Sequence, residues 1–323
     1  MDFHKLDEIS PFVRMVKIKK TVSLTGTWED IDHVLIYLAH GYGKYIVDGV
    51  HYSLKAGDVI IMPPYAKHII MIENEKPTIQ YILHFDFFSD VQRMQIPHQS
   101  AFAVGERIEV PAKEELLEGK CFVATVPEKE RFRFENQFLS MYGEFAKRGF
   151  ASDVMLRGMA IQFLVECFRL KQKHSYHEGE GQAGCKSWKL MEQALEYIYL
   201  HYQEEDINNT QIAEAVQISP NYLSKLFQKY LGMSLHKYLV SYRIEMAQRL
   251  IMKENYNITE AALASGFTSI HAFSKSFKQK KGISPSEYIS VVTKVEDGKE
   301  EERTKEDRDD EDYSRNRQIY YNQ

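Results

Sequence analysis

Cysteine is scarce in this chain of 323 residues: Cys121, Cys167 and Cys185 are its only three. They are odd in number, far apart and outside any Cys-x-x-Cys arrangement. That argues against a disulfide framework and a zinc knuckle, and fits reduced thiols in a cytosol. Long apolar runs are missing as well. No stretch approaches the roughly 20 apolar residues of a membrane span, and the opening MDFHKLDEIS carries charges where a secretion signal needs an apolar segment. The expectation is a cytoplasmic protein with no membrane partner. An excess of positive charge is also absent, since the formal net charge is -5, which is the wrong sign for a nucleic-acid binder. Residues 294–323, however, hold 11 acids against 7 bases, so four of the five negative charges sit in the last 30 residues.

What the chain does have is 44% apolar content, enough for ordinary cores in about two domains. Up to about residue 126 it is rich in short β-branched or alternating runs, such as Val34-Leu35-Ile36-Tyr37 and Val59-Ile60-Ile61-Met62, punctuated by Gly41, Gly43, Gly49, Gly57, Pro63 and Pro64. Short strands with turn signals at this spacing predict an antiparallel sandwich or barrel over 1–127. From Glu128 the period becomes helical. Phe134, Phe138, Met141 and Phe145 form one stripe, and Leu156, Ala160, Phe163, Leu164 and Cys167 a second. This helical pair, 128–173, either packs on the β domain or supplies a dimer seam. Residues 174–186 lose all periodicity and read as a linker. An all-α domain follows over 187–293, and the charged tail 294–323 has too little apolar content to order itself. The fold class expected is thus α+β and multidomain.

Between linker and tail lies an internal repeat. Ser219–Leu239 matches Ser269–Ile289 at a constant offset of 50, pairing Ser224 with Ser274, Lys225 with Lys275, Phe227 with Phe277, Gly232 with Gly282 and Tyr238 with Tyr288. Each copy carries the punctuation of a helix-turn-helix. In the first, a short helix over Thr210–Val216 precedes Ser219 as N-cap oxygen, Pro220 at the first helical position and Gly232 as the stop. In the second, Asn257 and Glu260 have capping-box spacing, Gly266-Phe267 make the turn, and Gly282 closes the next helix. Leu223, Leu226, Phe227 and Tyr230 should face inward in copy one, as should Phe273 and Phe277 in copy two. That leaves Asn221, Ser224, Lys225 and Gln228 outward in the first copy, and Ile270, His271, Ser274, Lys275 and Lys278 outward or flanking in the second. Neither Ser219–Gly232 nor Thr268–Gly282 contains one acid, in a chain with 46. A helix entering the major groove must bring donors to bases and phosphates and keep carboxylates away, which both segments do. The long helix expected over Ser234–Glu254 would join the units, so that one chain reads an asymmetric site of two adjacent segments.

Residues 187–293 resemble the DNA-binding domain of the AraC/XylS family. The resemblance rests on Ile212-Ala213, the run Ser219 to Phe227, Gly232-Met233-Ser234, Tyr242-Arg243-Ile244, Ala247, Leu250, Gly266-Phe267, Phe273 to Lys278 and Gly282 to Tyr288. It implies base-reading positions at Asn221, Ser224 and Lys225 on the first recognition helix, and at His271, Ala272 and Lys275 on the second. Gln228, Lys229, Ile270 and Lys278 complete the expected DNA-binding set. Ala272 can offer only a methyl contact.

The β region resembles the small barrel called a cupin, on Gly41, Gly43, Gly49, Gly57-Asp58, Pro63 and His68. Gly57, five residues, Pro63, four residues, His68 follows the second cupin motif and places one metal ligand. The first motif fails: its Glu falls on Val34, and its paired histidines fall among Thr27, Trp28, Glu29 and Asp30. A catalytic metal usually needs three protein ligands, so no metal, no other cofactor and no catalytic residue is assigned. By resemblance to arabinose-type sensors, an effector would meet His40, Gln80 and Ile82; a sugar ring would also suit Tyr37, Tyr42, Tyr45 and Tyr81, of which Tyr42 joins the expected set. Together these imply a dimeric, cytoplasmic activator of transcription that senses a sugar-like metabolite and works with RNA polymerase. Its rivals are a metal-dependent cupin enzyme fused to a DNA-binding domain, an alkyl-accepting repair protein, and an architectural binder with an empty barrel.

Overall fold

The computed structural model describes residues 3–96, 98, 108–173, 186–253 and 256–290. The expected linker at 174–186 (all but Lys186), the expected tail at 294–323 and Cys185 lie outside these. By its contacts the chain forms two compact units, Met1–Tyr199 with Asn208–Tyr238, and Leu200–Ile207 with Leu239–Gln323. This division does not fall at the sequence boundary near residue 187.

The first unit begins with seven antiparallel strands: β1 (Phe12–Trp28), β2 (His33–His40), β3 (Tyr42–Val47), β4 (Val50–Lys55), β5 (Asp58–Met62), β6 (His68–Asp86) and β7 (Phe122–Thr125). The long strand β6 organises them. β1 pairs along one of its edges, while the other edge takes β3 through residues 68–71 and β2 through 79–85. A strand with different neighbours in its two halves curls the sheet on itself, and register shifts at Val13/Met15, Thr21/Ser23 and Leu38/His40 add local bends. The order β4-β3-β6-β2-β5-β7 ends in two edges that do not pair among the described residues, which makes a half-barrel.

Alternation along the strands supplies two apolar layers. Val34, Ile36, Leu38, Tyr45, Ile60, Ile70 and Ile82 pack inside the curl. Leu35, Tyr37, Val59, Ile61, Leu83 and Phe85 point outward and are covered by α2 (Glu128–Lys147) and α3 (Ser152–Lys173). Both faces of β2 are therefore buried, which explains its unbroken apolar run. The two helical stripes read from the sequence are used inside the chain: the Phe134 ring lies tilted 5.0 Å from Tyr37, and Phe138 stacks 4.9 Å from Tyr81. Phe132, Leu139, Val154 and Met155 of the same helices remain exposed. A short α1 (Val91–Met94) is capped by Asp90.

The helical region holds α4 (Lys186–His201), α5 (Asn209–Ala215), α6 (Pro220–Leu231), α7 (Leu235–Lys253), α8 (Ile258–Ala264) and α9 (Ile270–Lys281), with one more helix beginning at Pro285. Within the first unit, α4 and α6 rest on the sheet. Gly49, in the β3–β4 turn at φ +85°, leaves room for the buried Trp188, whose Cγ would lie 2.7 Å from a Cβ placed there. His51 stacks on Tyr230 at 5.9 Å, and the hydroxyls of Thr27 and Tyr238 are 2.5 Å apart. No helix among the described residues is long and apolar enough to cross a membrane.

Candidate nucleic-acid interface

The first helix-turn-helix unit is α5 and α6. Asn208 and Gln211 form a capping box that starts α5. Ser219 Oγ accepts from Tyr222 N at 3.2 Å, Pro220 occupies the first turn, and Gly232, at φ +63°, stops α6 with its N–H donating to Gln228 O. These are the caps expected from the sequence. Leu223, Leu226, Phe227 and Tyr230 are buried, and this fixes the opposite face: Asn221, Ser224, Lys225, Gln228 and Lys229 are all exposed. Ser224 Oγ donates to Pro220 O at 3.0 Å and accepts from Asn209 Nδ2 at 3.2 Å. Asn209 thus belongs to this polar face, and sequence reasoning missed it. Its place at the first position of α5, beside the cap, was the available signal.

The second unit is α8 and α9. The Asn257–Glu260 capping box is formed in both directions. Gly266, at φ +84°, makes the turn because a Cβ there would run into the carbonyl of Tyr202 and the guanidinium of Arg243. Arg243 in turn donates to Tyr202 O at 2.7 Å and Glu204 O at 2.6 Å. Ser269 caps α9, and Phe273 and Phe277 anchor it against Ile244, Ala247 and Phe267. His271, Lys275 and Lys278 are exposed, whereas Ile270 and Ser274 are half-buried and Ala272 packs partly on the core. Lys280 and Lys281 turn inward, lying 3.4 and 3.0 Å from Glu245. The outward lysines of α9 are therefore Lys275 and Lys278 rather than the whole basic run.

The expected effector residues part company. His40 and Tyr42 are exposed and line an open cleft of about 860 Å³ together with Lys20, Glu73, Asn74 and Lys76. Gln80 and Ile82 do not line it: Ile82 sits in the apolar interior, and Gln80 Oε1 accepts from the Tyr45 hydroxyl at 2.9 Å. His68 is buried, its Nδ1 bonded to Ala66 O at 3.0 Å and its ring stacked on Trp28. The two described thiols are not activated. Burial pushes Cys121 up to about 12 and drives Cys167 further still.

Two helix-turn-helix units with acid-free outer faces, behind a curled sheet and two helices, define the class of molecule. Residues 212–290 match the family model described as a helix-turn-helix domain. The chain carries an AraC-type helix-turn-helix domain. It is 36% identical over 107 residues to the uncharacterized HTH-type transcriptional regulator YijO of Escherichia coli, a match covering 33% of this chain and 38% of YijO. The chain thus spans well under two thirds of that relative. It is 22% identical to the raffinose operon transcriptional regulatory protein RafR of Pediococcus pentosaceus, over 80% of this chain and 85% of RafR. Among solved structures it is similar to fatty-acid-bound ToxT of Vibrio cholerae, at 14% identity and TM-score 0.41, over 85% of this chain and 94% of that one.

Proposed function

We propose that this protein is a cytoplasmic, sequence-specific transcription regulator, an activator that binds double-stranded DNA through α6 and α9 and answers to a small molecule held by its sheet domain. The observation that carries the reading is the pair of capped, acid-free helices whose outer faces present Asn221, Ser224, Lys225 and Gln228 on one side, and His271, Lys275 and Lys278 on the other. Amide and ammonium donors at these positions suit base edges and phosphates. The cleft at His40 and Tyr42 suits a hydroxyl-rich ligand, and the raffinose-operon regulator, similar along most of its length, supports a sugar-like effector. Exposed Phe132, Leu139, Val154 and Met155 suit a homodimer. RNA polymerase is the partner an activator needs. The reading assigns the chain no catalytic reaction.

The test is the genome-wide DNA footprint of the native protein against that of the Lys225→Ala/Lys275→Ala variant, in several growth media. Discrete sites that vanish in the variant are expected, beside genes that nominate the effector. Identical footprints for the two proteins would overturn the assignment of these helices.

A further inference from the structure

We infer that the sheet domain holds a divalent transition-metal ion at the end of the half-barrel opposite the His40 cleft, bound by Asp30, His84 and His98. One donor atom from each of these residues lies within 4.8 Å of the others. His84 is on β6, whose partner in register is Val34 at the start of β2, while His40 closes that strand. Seven or so residues of strand, at about 3.3 Å each, separate the two ends.

Asp32 is what turns three neighbours into a site. His84 Nδ1 donates to Asp32 Oδ1 at 3.1 Å, and His98 Nδ1 donates to Asp32 Oδ2 at 2.8 Å. One fully buried carboxylate therefore sets the tautomer of both rings and leaves Nε2 of each as a lone pair. Carboxylates behind histidines do this in metal centres, orienting the ring and raising its basicity.

His84 Nε2 is buried and has no hydrogen-bond partner. The rings of His84 and His98 lie 3.9 Å apart, with the carboxylate of Asp30 beside them. Two imidazole lone pairs and a carboxylate converge here; the Lys17 ammonium lies near enough to act on His84 and His68, and a cation held by all three donors at once relieves their mutual repulsion directly. Arg14 and Arg93 point elsewhere than Asp30: both bond Asp86 and backbone carbonyls, Arg93 Nη2 reaching Asp86 at 2.8 Å and Ile31 O at 2.8 Å, and Arg14 Nε also lies 3.9 Å from Asp32 behind the histidines. Asp30 itself has His68 Nε2 at 3.8 Å. Two imidazoles and one carboxylate suit zinc or ferrous iron and leave positions open for water or a small ligand. The ion would tie the β1–β2 connection, β6 and the segment after α1 into one end-piece.

The experiment uses the full-length, tag-free chain stripped with a chelator and titrated with cobalt(II) alone, then competed with zinc(II). Expected are one cobalt per chain at micromolar concentration, visible d–d bands, and loss of about tenfold or more in affinity for both His98→Ala and Asp30→Asn. Circular dichroism checks that the variants are folded. Nitrogen NMR of the unsubstituted chain gives a readout that needs no variant: zinc must shift Nε2 of His84 and His98. No cobalt bound at micromolar concentration, binding unchanged in both folded variants, or zinc shifts confined to other histidines would each overturn the site.

Discussion

The two helix-turn-helix units are built to one plan and kept in different company. Helix α6 shares a compact unit with the sheet, touching it through Tyr230 on His51, with α4 wedged by Trp188 over Gly49. Helix α9 belongs to the other unit and is held by Phe273 and Phe277. Their outer faces differ too. Beside Lys225 and Lys229, α6 exposes the amides of Asn221 and Gln228, which can bond a base in bidentate fashion, whereas α9 exposes His271, Lys275, Lys278 and one amide, Gln279, with Ile270 and Ala272 half withdrawn. On the proposed function, base reading is concentrated in the unit that the sensing domain touches, and the second unit chiefly supplies adhesion.

The largest expected effect comes from Gly49→Ala. The new Cβ would need φ +85° and would lie 2.7 Å from Cγ of a fully buried tryptophan. Strain and overpacking together should cost about 2 to 4 kcal/mol. Hydrogen exchange should show the loss in α4 and α6 and leave the amides of α8 and α9 as protected as before. Equal loss in both units would break the comparison. Next in size is the contrast between the recognition faces. Asn221→Ala should cost about 1 to 3 kcal/mol at the preferred site and relax its sequence preference. Lys278→Ala should weaken all sequences alike and lower the salt slope by about 0.9. Titrations at several salt concentrations separate the two, and exchanged signatures would reverse the roles of α6 and α9.

The capped helices were legible in the sequence because capping is local: Ser219, Pro220, Gly232, Asn257, Glu260 and Gly282 each act within four residues of where they stand. The β region was legible as alternation, and it folded as expected into a curled antiparallel sheet with two helices behind it. Other features depended on pairings that local pattern does not encode. Which tyrosine faces which layer follows from the register of β2 on β6, so Tyr37 and Tyr81 lie against α2 and Tyr45 lies inside. The cluster of Asp30, His84 and His98 was invisible for the same reason. Its members are up to 68 residues apart, whereas the cupin motifs place ligands only around Gly41 and at His68.

The smallest effect tests the sheet contact by pH. Asp48, in the turn beside Gly49, is raised from 3.8 to about 6, first by burial, then by the nearby Glu192, with Glu29 adding to the shift and Lys67 opposing it. Glu192 on α4 is raised for the same leading reason, burial. A carboxyl whose value is higher in the folded chain than in the unfolded one stabilises the fold when protonated. That contribution is complete below about pH 4 and is lost as the pH climbs through 6. Asp48 is partly open to solvent, so the loss should be about 1 kcal/mol. Thermal unfolding of Asp48→Asn against the unsubstituted chain isolates it from other titrating groups: the gap in midpoint should widen in favour of the variant between pH 4.5 and 7. A constant gap would mean that the turn and α4 do not press these carboxylates together.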